Sequence, residues 1–267
     1  MVQFSARRDV VAGFEIETRT AGEGPNLLYL HGAGGAGSFF AGGDVAPFLA
    51  KLAASHSVLV PEHPGFGPND GPDWLDNIHD VAYFYLDYLA ALGLDGVHLV
   101  ASSLGGWIAL ELAVRDTSRL KTLTLCGTAG LKVKGVPMGD TFLWNREEFA
   151  ENFMMNRQAR AKFLAAEPTP EQEVIGLRNR QTTALLAWKP RFHNPHLTKW
   201  LHRIDVPTHI LWAEDDRVFP MPYGEALAGH IEGSTLSVLP GTGHLMQTDD
   251  PQAFCDAVTK FIGDNAS

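Results

Sequence analysis

The chain has 267 residues, 45% of them hydrophobic and 19% charged, with a formal net charge of −10. That length fits one large domain or two small ones with a sizeable core, and the acidic balance argues against nucleic acid or an anionic membrane surface as a partner. Met1 to Asp9 holds no apolar stretch of signal-peptide length, and no run approaches a membrane span. Cys126 and Cys255 form neither a disulfide framework nor a Cys-x-x-Cys pair, a usage that fits a cytoplasmic setting, and both read as buried structural thiols.

In chain order, Phe14 to Thr20 alternates in part and is closed by the turn Gly22-Glu23-Gly24-Pro25. Asn26 to Leu30 and Ser57 to Val60 are short apolar strands, and Asp44 to Ala54 between them has helical spacing. Asp76 to Leu92 predicts a stronger helix, with Gly93 placed to end it. Gly96 to Ala101 reads as a buried strand, Leu104 to Val114 as a helix and Lys121 to Cys126 as a further strand. Apolar strands separated by helices predict an α/β fold, a mostly parallel central sheet with helices on both faces.

The alternation then stops. Residues 132–200 read as helical and one-sidedly polar, with Phe142, Trp144, Phe149, Phe153, Met154, Met155 and Phe163 as soft apolar groups. Strands return at Thr208 to Trp212 and Ser234 to Leu239, and a helix closes the chain near Pro251 to Ile262. The expected organisation is a core of residues 1–131 and 201–267 interrupted by a helical insertion, 132–200.

The chemistry starts at Val100-Ala101-Ser102-Ser103-Leu104-Gly105-Gly106, where a strand runs through a sharp turn into a helix. Small residues stand two positions either side of Ser103, as a strained turn against neighbouring strands requires. Ser102 lacks that flanking and could instead cap the helix. A serine needs a base close by, and His244, in the loop Pro240-Gly241-Thr242-Gly243-His244, would stand at the same sheet edge. A third group must hold the imidazole tautomer, and Glu214, Asp215 and Asp216 follow the preceding strand.

These motifs together resemble the α/β-hydrolase family, with its order of serine, acid, histidine. The resemblance spans most of the chain outside the insertion. It implies the α/β-hydrolase fold with an inserted helical cap, and a catalytic triad of Ser103, Asp216 and His244. The acid follows from the family's Gly-x-x-Asp register, with Ala213 in place of the glycine and Val218-Phe219-Pro220 completing the match; Glu214 and Asp215 become solvated neighbours. His31-Gly32-Ala33-Gly34-Gly35 looks like the family's oxyanion loop. Ala33 is then the first oxyanion donor, with Gly34 the alternative, and Leu104 the second; His31 fixes the loop, and His63-Pro64-Gly65-Phe66-Gly67 is a packing turn. The resemblance implies a small-molecule acyl substrate, no cofactor and no metal, with no nucleic-acid or membrane partner; a homodimer stays open.

Serine at the elbow points to acyl transfer to water, first to carboxylic-ester hydrolysis. Carbon–carbon hydrolysis of a ring-cleavage dienoate is the alternative, with lactone or thioester hydrolysis beside it. In the carbon–carbon hydrolases asparagine often precedes the nucleophile, tryptophan follows the histidine and a cap arginine meets the substrate carboxylate. Here the first two positions are Ser102 and Leu245, and Arg178 or Arg180 could fill the third. Three other readings are weaker. Gly32-Ala33-Gly34-Gly35-Ala36-Gly37 matches a dinucleotide fingerprint, but Gly42 and Gly43 disfavour the helix it should open. His193 and His196 have ligand-like spacing without a third ligand. A non-catalytic binding protein would fit the fold but not the filled triad positions.

Overall fold

The computed structural model describes residues 2–68 and 71–265. Among the described residues eight strands form one sheet: β1 (Ser5–Val11), β2 (Phe14–Ala21), β3 (Asn26–Leu30), β4 (Ser57–Pro61), β5 (Val97–Ser102), β6 (Leu120–Cys126), β7 (Thr208–Ala213) and β8 (Thr235–Leu239), in the order β1-β2-β4-β3-β5-β6-β7-β8. β1 and β2 are antiparallel to their neighbours, and β3 to β8 run parallel. Every parallel strand therefore ends at the same edge. Loops that carry chemistry converge there, as open α/β sheets arrange.

Both faces of the sheet are covered, which explains why its central strands lack alternation. Leu28, Leu30, Leu99 and Ala101 point into one core with α2 (Ile78–Ala91), α3 (Leu104–Ala113) and α7 (Pro222–His230). Leu27, Tyr29 and Val100 point into the other, with α1 (Pro47–Leu52) and α9 (Pro251–Asp264). α2 starts on a capping box between Asn77 and Asp80, and Gly93 follows its end at φ 61°, as expected of that glycine. Cys126 and Cys255 are free and buried, and burial pushes both thiols up to about 12. Among the described residues, no helix is long and apolar enough to cross a membrane.

Between β6 and β7 the chain forms no strand of the sheet. It runs through α4 (Arg146–Phe153), α5 (Arg157–Ala165), α6 (Pro170–Ala187) and two 3-10 turns. The two limbs of this segment are tied at Gly130, whose N–H donates to Phe192 O and whose carbonyl accepts from Asn194 N. A short helix, α8 (Met246–Asp249), follows the last strand's loop.

Two local expectations are corrected. The helix expected over Asp44 to Ala54 shortens to α1, with Pro47 at its first position. After the glycine-rich loop, where no helix was expected, a 3-10 helix runs Ala36–Gly43. It is closed by i→i+3 bonds and is not the α-helix that a dinucleotide fingerprint opens.

Candidate active site

β5 enters Ser103 and α3 leaves it, and the serine sits at φ 55°, ψ −117°, where non-glycine residues are seldom found. The turn is held from all sides: Ser103 N donates to Cys126 O, and its carbonyl accepts from Trp107 N and Ala129 N. The flanking small residues have steric causes. A Cβ on Gly105 would overlap the carbonyl oxygens of Leu30 and His31 in the neighbouring strand, and one on Gly106 would overlap Thr128. Ser103 makes no capping bond to α3. Ser102 turns the other way and bonds Tyr29 Oη at 2.7 Å.

The Ser103 hydroxyl goes to His244 instead. Oγ lies 2.9 Å from His244 Nε2, and His244 Nδ1 lies 2.9 Å from Asp216 Oδ2. A carboxylate oxygen accepts, so Nδ1 carries the hydrogen and Nε2 is left to accept from the serine. The other oxygen of Asp216 accepts from Val218 N and Phe219 N at 2.8 and 2.9 Å, which locks the carboxyl plane. Asp215 is exposed, while Glu214, also exposed, accepts Gly241 N–H at 2.8 Å and so braces the histidine loop. That is more than a solvated neighbour does. Gly127 leaves room for Asp216 and His244 to meet, for a Cβ added there would lie 3.1 Å from Asp216 Oδ2.

The loop His31 to Gly37 lies against the serine: a Cβ on Gly32 would stand 3.1 Å from Ser103 Cβ. His31 Nδ1 is 2.6 Å from Gly32 O, and Gly35 N donates to the same oxygen at 3.3 Å. In a trans peptide the N–H points opposite the carbonyl, so these bonds turn Ala33 N–H away from His31. Leu104 N–H is among the first amides of α3, which lack an intrahelical acceptor.

Beneath the loop lies Glu62, which the sequence reading passed over. Its Oε1 is 3.0 Å from His31 Nε2 and accepts Ala36 N at 2.9 Å, while Oε2 accepts Gly37 N at 3.1 Å. Burial would push its carboxyl up, but the adjoining His31 and these hydrogen bonds outweigh it and hold the group below its ordinary value. The carboxylate thus takes the amides that the dinucleotide reading would give to a pyrophosphate. His63 stacks on His31 at 3.6 Å between ring centroids, donates Nε2–H to His31 O and accepts from Tyr85 at Nδ1. Burial and the neighbouring His31 keep it well below the ordinary histidine value. The turn does pack, with Phe66 fully buried, and it also fixes the loop histidine.

The helical insertion meets this site at two places. Asp249 accepts Gly243 N, Met155 N and Asn156 N, Leu245 N donates to Phe153 O, and the Phe153 ring stands edge-on to His244 at 5.0 Å. On α6, Asn179 Nδ2 donates to Gly34 O at 2.9 Å, and its Oδ1 accepts Gly67 N at 2.8 Å. Neither Asp249 nor Asn179 carried a sequence signal, because their partners are brought near only by the fold. Arg178 donates to the carbonyls of Gly67 and Pro68, and Arg180, exposed, to that of Phe142. His193 bonds Arg191 O and His196 faces Lys199.

A parallel sheet with an elbow serine, a buried acid and a histidine at its carboxyl edge defines a class of hydrolytic folds. The chain belongs to the alpha/beta hydrolase family, whose model matches residues 27–257. It is 26% identical over 278 residues to a 2-hydroxy-6-oxo-6-phenylhexa-2,4-dienoate hydrolase of Burkholderia cepacia, covering 94% of this chain and 92% of that protein. Among solved structures it resembles a bacterial membrane phospholipase A, with TM-score 0.80 and 20% identity, over 99% of this chain and 87% of that one. It is also similar to the esterase RhEst1 from Rhodococcus sp. ECU1013, with TM-score 0.78 and 22% identity, over 98% and 99% of the two chains.

Proposed function

We propose that the chain is a serine hydrolase cleaving a carboxylic ester with an apolar body through an acyl-enzyme. The observation that carries the serine-hydrolase part of this reading is the unbroken run of bonds from Asp216 through His244 to Ser103, which serves an ester and a dienoate alike. In the proposed cycle, Ser103 Oγ bonds to the ester carbonyl carbon while its proton passes to His244 Nε2. The carbonyl becomes an oxyanion facing Ala33 N–H and Leu104 N–H, donors worth roughly 2.7–4 kcal/mol each. Collapse of the oxyanion breaks the ester C–O bond, and the alcohol leaves with the proton from Nε2. Water then repeats the sequence on the acyl-enzyme, releasing the acid and returning a proton to Ser103. The insertion, residues 132–200, would act as a cap, with Phe153 as an apolar wall beside the base.

Carbon–carbon hydrolysis of a dienoate is the second reading, favoured by the dienoate hydrolase that the chain resembles along most of its length. Three features favour the ester. Ser102 is directed to Tyr29, Leu245 follows the histidine, and Arg178 and Arg180 serve backbone carbonyls. The test compares kcat/KM for an aryl ester and a ring-cleavage dienoate, with a lactone and a thioester alongside. Ester preference is the expected outcome. A hundredfold preference for the dienoate, about 2.7 kcal/mol of transition-state discrimination, would make the second reading correct. Slow turnover of every substrate with tight retention of one would point to a binding protein.

A further inference from the structure

The oxyanion loop is gripped from two sides, and one grip belongs to the helical insertion. From the core, Glu62 holds His31, Ala36 and Gly37. From α6, Asn179 holds the carbonyl of Gly34, and the backbone groups it meets leave no choice of amide orientation, since Gly34 offers an acceptor and Gly67 a donor. The two side chains converge on Gly35, which sits at φ +82°. A Cβ there would lie 2.6 Å from Asn179 Nδ2 and 3.2 Å from Glu62 Oε1. Asn179 is only 4% exposed, so its amide has little water to fall back on. The turn closed by Gly35 N to Gly32 O spans Ala33 and Gly34, the two candidate oxyanion donors. The Gly34 carbonyl shares its peptide plane with Gly35 N–H, the donor that closes this turn on Gly32 O, so holding that carbonyl holds the turn on which both donors stand.

We infer that Asn179 is a positioning residue that couples the seating of the insertion to the oxyanion hole, so that the hole is competent only while α6 is docked. This rests on the serine-hydrolase reading and adds to it a conformational requirement for acylation. The neighbouring bond from Thr182 Oγ1 to Gly65 O also seats α6, yet it touches no part of the loop. It provides an internal control.

The experiment compares Asn179→Leu with Thr182→Val, measuring kcat and KM for an aryl ester and the affinity for an aryl-alkyl trifluoromethyl ketone. Such a ketone adds to the serine and places an oxyanion in the hole. Asn179→Leu is expected to lower kcat by roughly 10- to 100-fold, the scale of a misaimed oxyanion donor, and to weaken the ketone by a similar factor. KM should stay within about threefold, and Thr182→Val should leave all three quantities within about threefold, since a donor acting only on the transition state moves kcat. Equal losses in the two variants, or a change confined to KM, would overturn the inference in favour of general seating. If Asn179→Leu does not fold, Asn179→Ser, which is too short to reach Gly34 O, makes the same comparison. Failure of the unaltered protein to form the ketone adduct, or to be labelled on Ser103 by a phosphonate, would instead overturn the serine-hydrolase reading and this inference with it.

Discussion

At the scale of single residues, the sharpest question is which of three consecutive acids serves the histidine. Asp216 is buried with both oxygens engaged, one by His244 and one by two backbone amides, whereas Asp215 is exposed. Asparagine at the acid keeps the shape but favours the wrong imidazole tautomer, so Asp216→Asn should lower kcat by about 10⁴. Asp215→Asn should stay within about threefold of the unaltered protein. A reversed order of the two variants in steady-state kinetics would place the acid one residue earlier. Under the proposed mechanism Ser103→Ala should lower kcat by roughly 10⁴–10⁶, because members of a triad act as a unit. Unchanged turnover, or phosphonate labelling confined to Ser102, would remove Ser103 from the mechanism.

At the scale of elements, glycines explain both what the sequence disclosed and what it hid. The elbow was legible because small residues at fixed offsets from a serine have few other uses, and Gly105 does abut the β3 backbone. Gly105→Ala should accordingly destabilise the fold by about 1–3 kcal/mol, the usual cost of overpacking, read as a lowered urea midpoint. A midpoint unchanged in that variant would mean that β3 and α3 can part more easily than their contact suggests. The helix α7 escaped notice because Gly224 lowers its helix propensity. Yet that glycine is required, since a Cβ there would lie 2.8 Å from the Trp212 ring. β1 was missed for another reason. Arg7, Arg8 and Asp9 give it the charged look of a tail, and charge of that kind is what protects an edge strand. Glu62, Asn179 and Asp249 are isolated polar residues whose partners the topology supplies, so no local pattern could have marked them.

At the scale of the whole molecule, several buried ionisable groups make stability depend on pH, and on the acid side of neutrality His98, His209 and Glu111 act in the same sense. His98 on β5 and His209 on β7 are both lowered to about 4; burial is the chief cause, helped at His98 by the charges of His56 and Lys121. In the unfolded chain a histidine binds its proton near pH 6.5. Between about pH 6.5 and 4 the unfolded state therefore takes up protons that the native state refuses, and stability falls as the pH falls. Each histidine contributes a slope of up to about 1.4 kcal/mol per pH unit in that window. Glu111 extends the loss to lower pH. Burial opposes its ionisation, but hydrogen bonds from His79, Arg115 and Asn194 bring it down to about 2, so its contribution is present above pH 4.5 and disappears as pH falls toward 2. His209 separates these effects. Among the described residues its Nδ1 meets no hydrogen-bond partner, its Nε2 meets Ser237 Oγ at 3.0 Å, and its ring stacks on Phe261 at 4.8 Å. His209→Phe keeps a ring to stack and removes the titration, so its urea-unfolding free energy should fall less steeply from pH 6.5 to 4 than that of the unaltered protein. Parallel curves for the two proteins across that window would mean that His209 does not report the cost of charging a histidine inside the sheet.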